Sequence, residues 1–449
     1  MCRRTRNDAT NRRIGWINLN MNITFISLGC AKNLVDSEYI LGLLRQDKQI
    51  NIIDDIELSD AIFINTCGFI NDAKAEAIDT IFSVLNEKKD NAYLIVIGCL
   101  AKRYKKELLQ EIPEIDLIVG VDEYDLIGEK LNDLFNSKLP KTYDPLKRSL
   151  TNPLPVAYLK IGEGCSNKCA YCAIPLIRGE YYSYPKQQIL DDAKRLIKLG
   201  KKEIIVIAQD PTRYGKDIYE DYGLEELMQD LANLDKSTFF RVLYLYPDRI
   251  SDKLIDIFKE NKNILPYFDI PIQHSSNNML LAMKRSGTRE KYLEVIGKIK
   301  DNIKNAVLRT TLIVGFPGET KEDFEDLKDF IKKVEFDHLG VFAFSKEEDT
   351  LAYDMDDQID EKIAKQREKE IMKIQQKISL KLNKKRINQI HDVLIEDFDG
   401  NNYYGRSYLF APDAEDGNFI IKSSKNLIIG EYVKVKISEV TAYDVKGEL

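Results

Sequence analysis

At 449 residues the chain is too long for one ordinary core, so two or three domains are expected. Hydrophobic residues make up 44% and charged residues 31%, and no apolar run nears the roughly 20 residues of a membrane helix. The net charge of −7 argues against strong nonspecific binding to nucleic acid.

Residues 1–20 carry Arg3, Arg4, Arg6, Arg12 and Arg13 against Asp8, a net of +4, with no apolar stretch of signal-peptide length. They are read as a tail or a mis-assigned start, with Met21 as the expected first residue. Removing that +4 takes the net charge from −7 to −11. Seven cysteines follow the same logic of compartment: Cys2, Cys30, Cys67, Cys99, Cys165, Cys169 and Cys172. Without an export signal they point to metal or redox use rather than to disulfides.

From 21 to 137, strand-like runs ("ITFISL", "AIFIN", "YLIVIG", "DLIVG") alternate with helix-like ones, the pattern of a parallel α/β sheet. Cys30, Cys67 and Cys99 each end one of these strands. The carboxyl ends of parallel strands share one edge, where ligands bind. Three unrelated packing thiols would fall inside the apolar runs more often than at their ends. The sharper reading is a three-thiolate iron–sulfur site with an open position. Residues 138–150, rich in proline and without periodicity, are read as a linker.

From 151 to 383 six strand–helix units follow one another, which suggests a partial (β/α) barrel with its site at the carboxyl ends of the strands. After the first of these strands stands "GEGCSNKCAYCAIP", which spaces Cys165, Cys169 and Cys172 as C-x3-C-x2-C. Three thiolates so close suit one soft-metal site, zinc or iron–sulfur. A fourth thiolate is not nearby, so one metal position stays open; the alternative is a zinc clip completed by His274. Three further strand ends face the same way: Gln209 in "AQD", His274 in "PIQH", and "VGFPGE" from Val314 to Glu319, whose glycines allow close approach to a ligand. For Gln209 and His274 a plain polar cap is an equal reading. A long amphipathic helix near 359–382 closes the region, its Lys/Arg run read as a solvated face. Residues 384–449 change to short strands between Gly and Asn turns, a small β-barrel.

The Cx3Cx2C motif resembles the radical S-adenosylmethionine signature. Together with the three scattered cysteines and the C-terminal barrel, it makes residues 21–449 similar to the methylthiotransferases. The resemblance implies an α/β multidomain protein: a parallel N-terminal cluster domain, a partial (β/α) radical-SAM barrel and an all-β TRAM barrel. It implies two 4Fe-4S clusters, one on Cys165, Cys169 and Cys172, the other on Cys30, Cys67 and Cys99. It also implies S-adenosylmethionine in two roles, radical source and methyl donor. Tyr171 would shield the first cluster; Gln209, Val314, Gly315, Gly318 and Glu319 would lie along the cofactor.

Two branches of that family compete. One modifies a tRNA adenosine. The other adds a methylthio group to the β-carbon of an aspartate in small-subunit ribosomal protein S-twelve. "SLGCAKNLVDSE", "NTCGFINDAKAEAI" and "AYLKIGEGCSNKCAYCAIPLIRG" resemble the second. Nine Lys/Arg against eleven Asp/Glu over 384–449, a net of −2, also suit a basic protein better than RNA. Pro211 departs from the threonine expected there and is read as stiffening a loop. The resemblance further implies a reducing electron donor such as flavodoxin, a sulfur source, a monomer and a cytoplasmic setting away from membranes. A reading of another class, a noncatalytic iron–sulfur protein that binds ribosomes, is weighed against by "GFPGE".

Overall fold

The computed structural model describes residues 20–151, 155–412 and 416–449. The reading of the first nineteen residues, Cys2 included, lies outside them. The chain forms two compact units: the chain up to Thr151 together with Ala173–Gly179, and the remainder. The division differs from the sequence reading in placing 173–179 outside the barrel and in joining the barrel and the C-terminal region in one unit.

In the first unit, β1 (Met21–Ser27), β2 (Ile50–Ile52), β3 (Ala61–Thr66), β4 (Tyr93–Gly98) and β5 (Leu117–Gly120) form a parallel sheet in the order β2-β1-β3-β4-β5. β3 and β4 are buried along their whole length, as apolar strands covered on both faces must be. Side chains of period two then divide. Ile23, Phe63 and Ile95 face α1 (Ala31–Leu44) and α5 (Ile127–Phe135) through Leu43, Leu131 and Phe135. Ile62, Ile64, Leu94 and Val96 face α2 (Asn71–Glu87) and α4 (Lys105–Glu111) through Ile81, Val84 and Leu108. The three-residue edge strand β2 is too short for alternation to reveal it.

The segment read as a linker is docked on this unit. Leu139 joins its core. Tyr143 stacks on Tyr39 with ring centres 4.8 Å apart, and Arg148 pairs with Glu38 at 3.4 Å, both fully or nearly buried. Prolines removed the periodicity but not the anchoring side chains.

In the second unit, β6 (Val156–Lys160), β7 (Glu203–Ile207) and β8 (Phe239–Val242) pair in chain order, as do β9 (Tyr267–Asp269), β10 (Val307–Val314) and β11 (His338–Ala343). A parallel bridge between Phe240 and Ile264 joins the two halves. Neighbours in chain order, all parallel, are the mark of a (β/α) barrel, here open between β6 and β11.

The helix Glu361–Lys384 packs along β11, with Gln375 donating to the Phe336 carbonyl at 2.7 Å. Beyond it β12 (Ile390–Phe398), β13 (Tyr403–Arg406), β14 (Phe419–Ile421), β15 (Tyr432–Val440) and β16 (Val445–Glu448) close a barrel in the order β12-β13-β14-β16-β15. The fifth strand, "VKGE", carries one apolar residue, too few to stand out in sequence.

The small barrel meets the amino ends of the large barrel's strands. Glu203, the first residue of β7, lies between Arg241 at 2.7 Å and Arg406 at 3.2 Å. Burial raises the carboxyl pKa, but the two guanidinium groups outweigh it and hold Glu203 below its usual range. Seating the small barrel there leaves the carboxyl ends of the strands free for a site.

Candidate functional site

Register builds the first site. Ser27 pairs with Asn65, Asn65 with Ile97, and Thr66 with Gly98, so β1, β3 and β4 end at one level. Cys67 follows β3 directly, and Cys99 opens the five-residue helix α3 (Cys99–Arg103) directly after β4. Cys30 caps the start of α1. Residues far apart in sequence thus meet on one rim. Burial raises the Cys67 thiol and pushes Cys99 up to about 12. Proximity of the other thiols, Cys30 for Cys67 and both for Cys99, adds to the rise.

Glycines flank all three cysteines because the backbones approach closely. A Cβ at Gly29 would lie 2.7 Å from Cys67 Cβ and 3.2 Å from its Sγ. One at Gly68 would lie 2.8 Å from the Leu100 nitrogen. Gly98, at φ +102, would collide with Asn65 Oδ1. A side chain at Gly29 would crowd Cys67, and side chains at Gly68 and Gly98 would push apart the exits of β3 and β4.

Asn33 of α1 ties the rim together. Its Nδ2 donates to the carbonyls of Leu28 at 3.2 Å and Thr66 at 3.0 Å, which are the exits of β1 and β3. Its Oδ1 accepts from Cys99 Sγ at 3.5 Å and from Arg178 Nη2 at 2.6 Å. Arg178 ends the short helix α6 (Ile174–Arg178), whose Ala173 and Ile177 pack against Cys99 within the first unit. Sequence reasoning missed Asn33, Asp36 and Arg178. The available signal was a polar set at i and i+3, Asn33 and Asp36, on a helix buried almost throughout.

The second site lies at the carboxyl ends of the large barrel. Cys165, Cys169 and Cys172 sit on the loop after β6, and burial raises the Cys165 thiol. Asn167, between two of them, donates to the fully buried Asp210 at 2.7 Å and accepts from Arg249 at 2.8 Å. Asp210 also caps the turn at Pro211–Arg213, accepting from the Thr212 nitrogen at 3.1 Å. Pro211 therefore occupies the first position of a short 3-10 turn, where its missing N–H costs nothing.

Arg285 donates to Cys169 Sγ at 3.8 Å and to the Pro271 carbonyl at 2.8 Å, and stacks over Tyr246 at 4.0 Å. Ala170, Met279, Met283, Phe316 and Ala352 form an apolar shell beside the loop, with Tyr171 packed against it. Burial, then the neighbouring Cys169, raises the Tyr171 phenol well above its usual range.

Gln209, just beyond β7, has a buried Oε1 with no hydrogen-bond partner among the described residues. Val314 ends β10, and Gly315 and Gly318 adopt φ +74 and +78. A Cβ at Gly318 would meet open space. Glu319 is turned into its own loop: it accepts from the Gly315 nitrogen and from Arg367 at 2.7 Å, and faces His274 Nε2 at 3.4 Å. His274 Nδ1 accepts from the Ser276 nitrogen at 3.0 Å, so both ring nitrogens are engaged away from the cysteines.

Among the described residues no three His, Cys, Asp or Glu side chains are arranged to hold a single metal ion. Ligands of a multi-iron cluster bind different irons and stand further apart. Among those residues, too, no helix is long and apolar enough to cross a membrane.

Comparison with known proteins covers all three regions. Residues 22–120 match the uncharacterized protein family UPF0004, residues 159–331 the Radical SAM superfamily, and residues 387–449 the TRAM domain. The chain is 47% identical over 449 residues to the ribosomal protein uS12 methylthiotransferase RimO of Clostridioides difficile, covering 96% of this chain and 99% of that one. It is 46% identical over 442 residues to the protein of the same name from Desulforamulus reducens, covering 95% and 99%. Among solved structures it is similar in fold to the radical S-adenosylmethionine methyltransferase TsrM of Kitasatospora setae. The TM-score is 0.55 at 11% identity, over 72% of each chain.

Proposed function

This chain belongs to the RimO family of ribosomal protein uS12 methylthiotransferases, and on that premise we propose that it adds a methylthio group to the β-carbon of an aspartyl residue of uS12. The observation that carries the reading is the presence of two three-cysteine sets at two strand-end rims. In this proposal Cys165, Cys169 and Cys172 hold one 4Fe-4S cluster, and Cys30, Cys67 and Cys99 hold another. The residues present fit these groups: the bare Gly29 leaves room beside Cys67 Sγ, the loop after β6 offers three thiols with an apolar shell beside it, and Gln209 Oε1 is a buried acceptor that suits the ammonium group of S-adenosylmethionine. When bound, the clusters and two molecules of S-adenosylmethionine supply a 5′-deoxyadenosyl radical, the sulfur and the methyl group.

The chain's own part is placement and exclusion of water. Asn167 and Asp210 fix the cysteine loop to the end of β7. The apolar shell and Tyr171 keep water from the loop's inner side. The positive-φ backbone at Gly318, where a Cβ would meet open space, lets a ligand approach the loop after β10, while Gly315 lies against Ala364 and Val314 is buried at the strand's end. Glu319 acts one step back by holding that loop in shape through Gly315 and Arg367. A reducing electron donor such as flavodoxin, a sulfur source, a monomeric state and a cytoplasmic setting complete the proposal.

The test is mass spectrometry of uS12 and of tRNA from a deletion strain. The expected outcome is uS12 that lacks the methylthio group, with tRNA unchanged. Loss of a tRNA methylthio group with intact uS12 would sink the reading in favour of the tRNA branch.

A further inference from the structure

We propose that Arg178 and Asp36 form a charge pair that sets the redox poise of the N-terminal rim, with Arg178 as a positioning residue for the sulfur of Cys99. The inference rests on the reading that Cys30, Cys67 and Cys99 hold a cluster.

The geometry is a built site. A single nitrogen of Arg178, Nη2, lies 2.9 Å from Asp36 Oδ2, 2.6 Å from Asn33 Oδ1 and 3.4 Å from Cys99 Sγ. The arginine and aspartate side chains are 2% and 3% exposed. A buried charge pair of this kind costs desolvation, and its bare contribution to stability is small. Stability alone therefore does not account for placing it against a cysteine sulfur. Nη2 has two hydrogens and three acceptors around it. The sulfur accepts better as a metal-bound thiolate than as a thiol, and Nη2 stands close enough to share a hydrogen with it.

The consequence is electrostatic. Reduction adds one negative charge to a cluster. Hydrogen bonds to its sulfurs and nearby positive charge favour the reduced form; nearby negative charge favours the oxidised form. Arg178 and Asp36 push in opposite directions from almost the same point. Water does not screen them, since both are buried. Asn33 holds Arg178 on one side and the exits of β1 and β3 on the other, so the charge is fixed relative to the rim.

The experiment uses the full chain carrying Cys165→Ala, Cys169→Ala and Cys172→Ala, so that iron is taken up at the N-terminal rim alone. Iron content and the midpoint potential are measured by anaerobic redox titration. In this background Arg178→Met should lower the ratio of reduced to oxidised cluster about tenfold at a fixed applied potential, about 59 mV for one electron. Asp36→Asn should raise that ratio, and Arg178→Lys should restore most of what methionine loses. Opposite signs are the signature, because damage to folding would move both variants the same way or strip the iron from both. If Arg178→Met fails to hold iron, Arg178→Gln, which also removes the charge, takes its place against Asp36→Asn. Iron retained with an unmoved potential, or shifts of one sign, would overturn the inference while leaving the ligand assignment standing. A parent that takes up no iron would overturn the ligand assignment itself, and the inference with it.

Discussion

The two cysteine sets are gathered at strand ends by opposite means. In the barrel, three thiols lie within eight residues of one loop, and a hydrogen-bonded Asn167–Asp210 pair holds that loop. On the N-terminal rim, three thiols come from positions spread over seventy residues, and only strand register brings them level. Each set has a buried arginine against a ligand-type sulfur. Arg178 is paired with Asp36, whereas Arg285 lies on the Tyr246 ring and, among the described residues, has no carboxylate in ion-pair contact. The difference teaches that a loop site depends on local hydrogen bonds and a register site on the whole sheet.

The largest expected effect separates the two sets outright. Anaerobic reconstitution should give about eight irons per chain, four per cluster. Cys165→Ala should halve that and abolish formation of 5′-deoxyadenosine. Cys67→Ala should also halve it, abolish methylthiolation and leave some cofactor cleavage. About four irons in the unmodified protein would remove one side of the comparison.

Next in size, Asp210→Ala should weaken cluster retention at the loop about 10- to 100-fold, the usual effect of losing a group that orients a ligand. Chelator challenge followed by visible absorption measures it. Equal weakening of the rim cluster would show that Asp210 acts through global stability instead.

A smaller effect distinguishes the glycines. Gly98→Ala meets both a positive φ and Asn65, and should cost about 1–3 kcal/mol. Gly318→Ala meets only the φ penalty, about 1–2 kcal/mol. Urea midpoints rank them; a costlier Gly318→Ala would contradict the close approach at Gly98 and the open space at Gly318.

The smallest lies in the C-terminal barrel and serves as a control away from both sets. Burial pushes His391 down to about 4, and neither ring nitrogen has a hydrogen-bond partner among the described residues. The folded value is below the unfolded one, so the neutral ring's contribution is full above about pH 6.5. It is lost as pH falls from there toward 4. His391→Phe should flatten that window in urea midpoints compared at pH 7 and 5. Any change in iron content would be unexpected.

Much of this was legible in sequence, for physical reasons that differ by region. The loop cysteines stand out because all three fall within eight residues. The rim cysteines declare themselves through their shared place after apolar runs, since parallel strands end together. The groups that support them do not. Asn33, Asp36 and Asp210 look like ordinary polar residues until partners from other segments are known. Arg178 sits a few residues after Cys172 and reads as part of the barrel, yet its contacts are with α1 and Cys99. The docked segment 138–150 was hidden because proline hides periodicity, while Tyr143 and Arg148 anchor as single side chains.

Ala173–Gly179 gives the chain a constraint on the order in which it can be made. The N-terminal unit is discontinuous, and its last piece is encoded after the three loop cysteines. During synthesis the sheet can form early, but Asp36 has no Arg178 until the chain has grown past residue 178. A truncation after Thr151 would lack both the helix α6 and the guanidinium that pairs with Asp36. The rim therefore matures only after the loop cysteines have been translated.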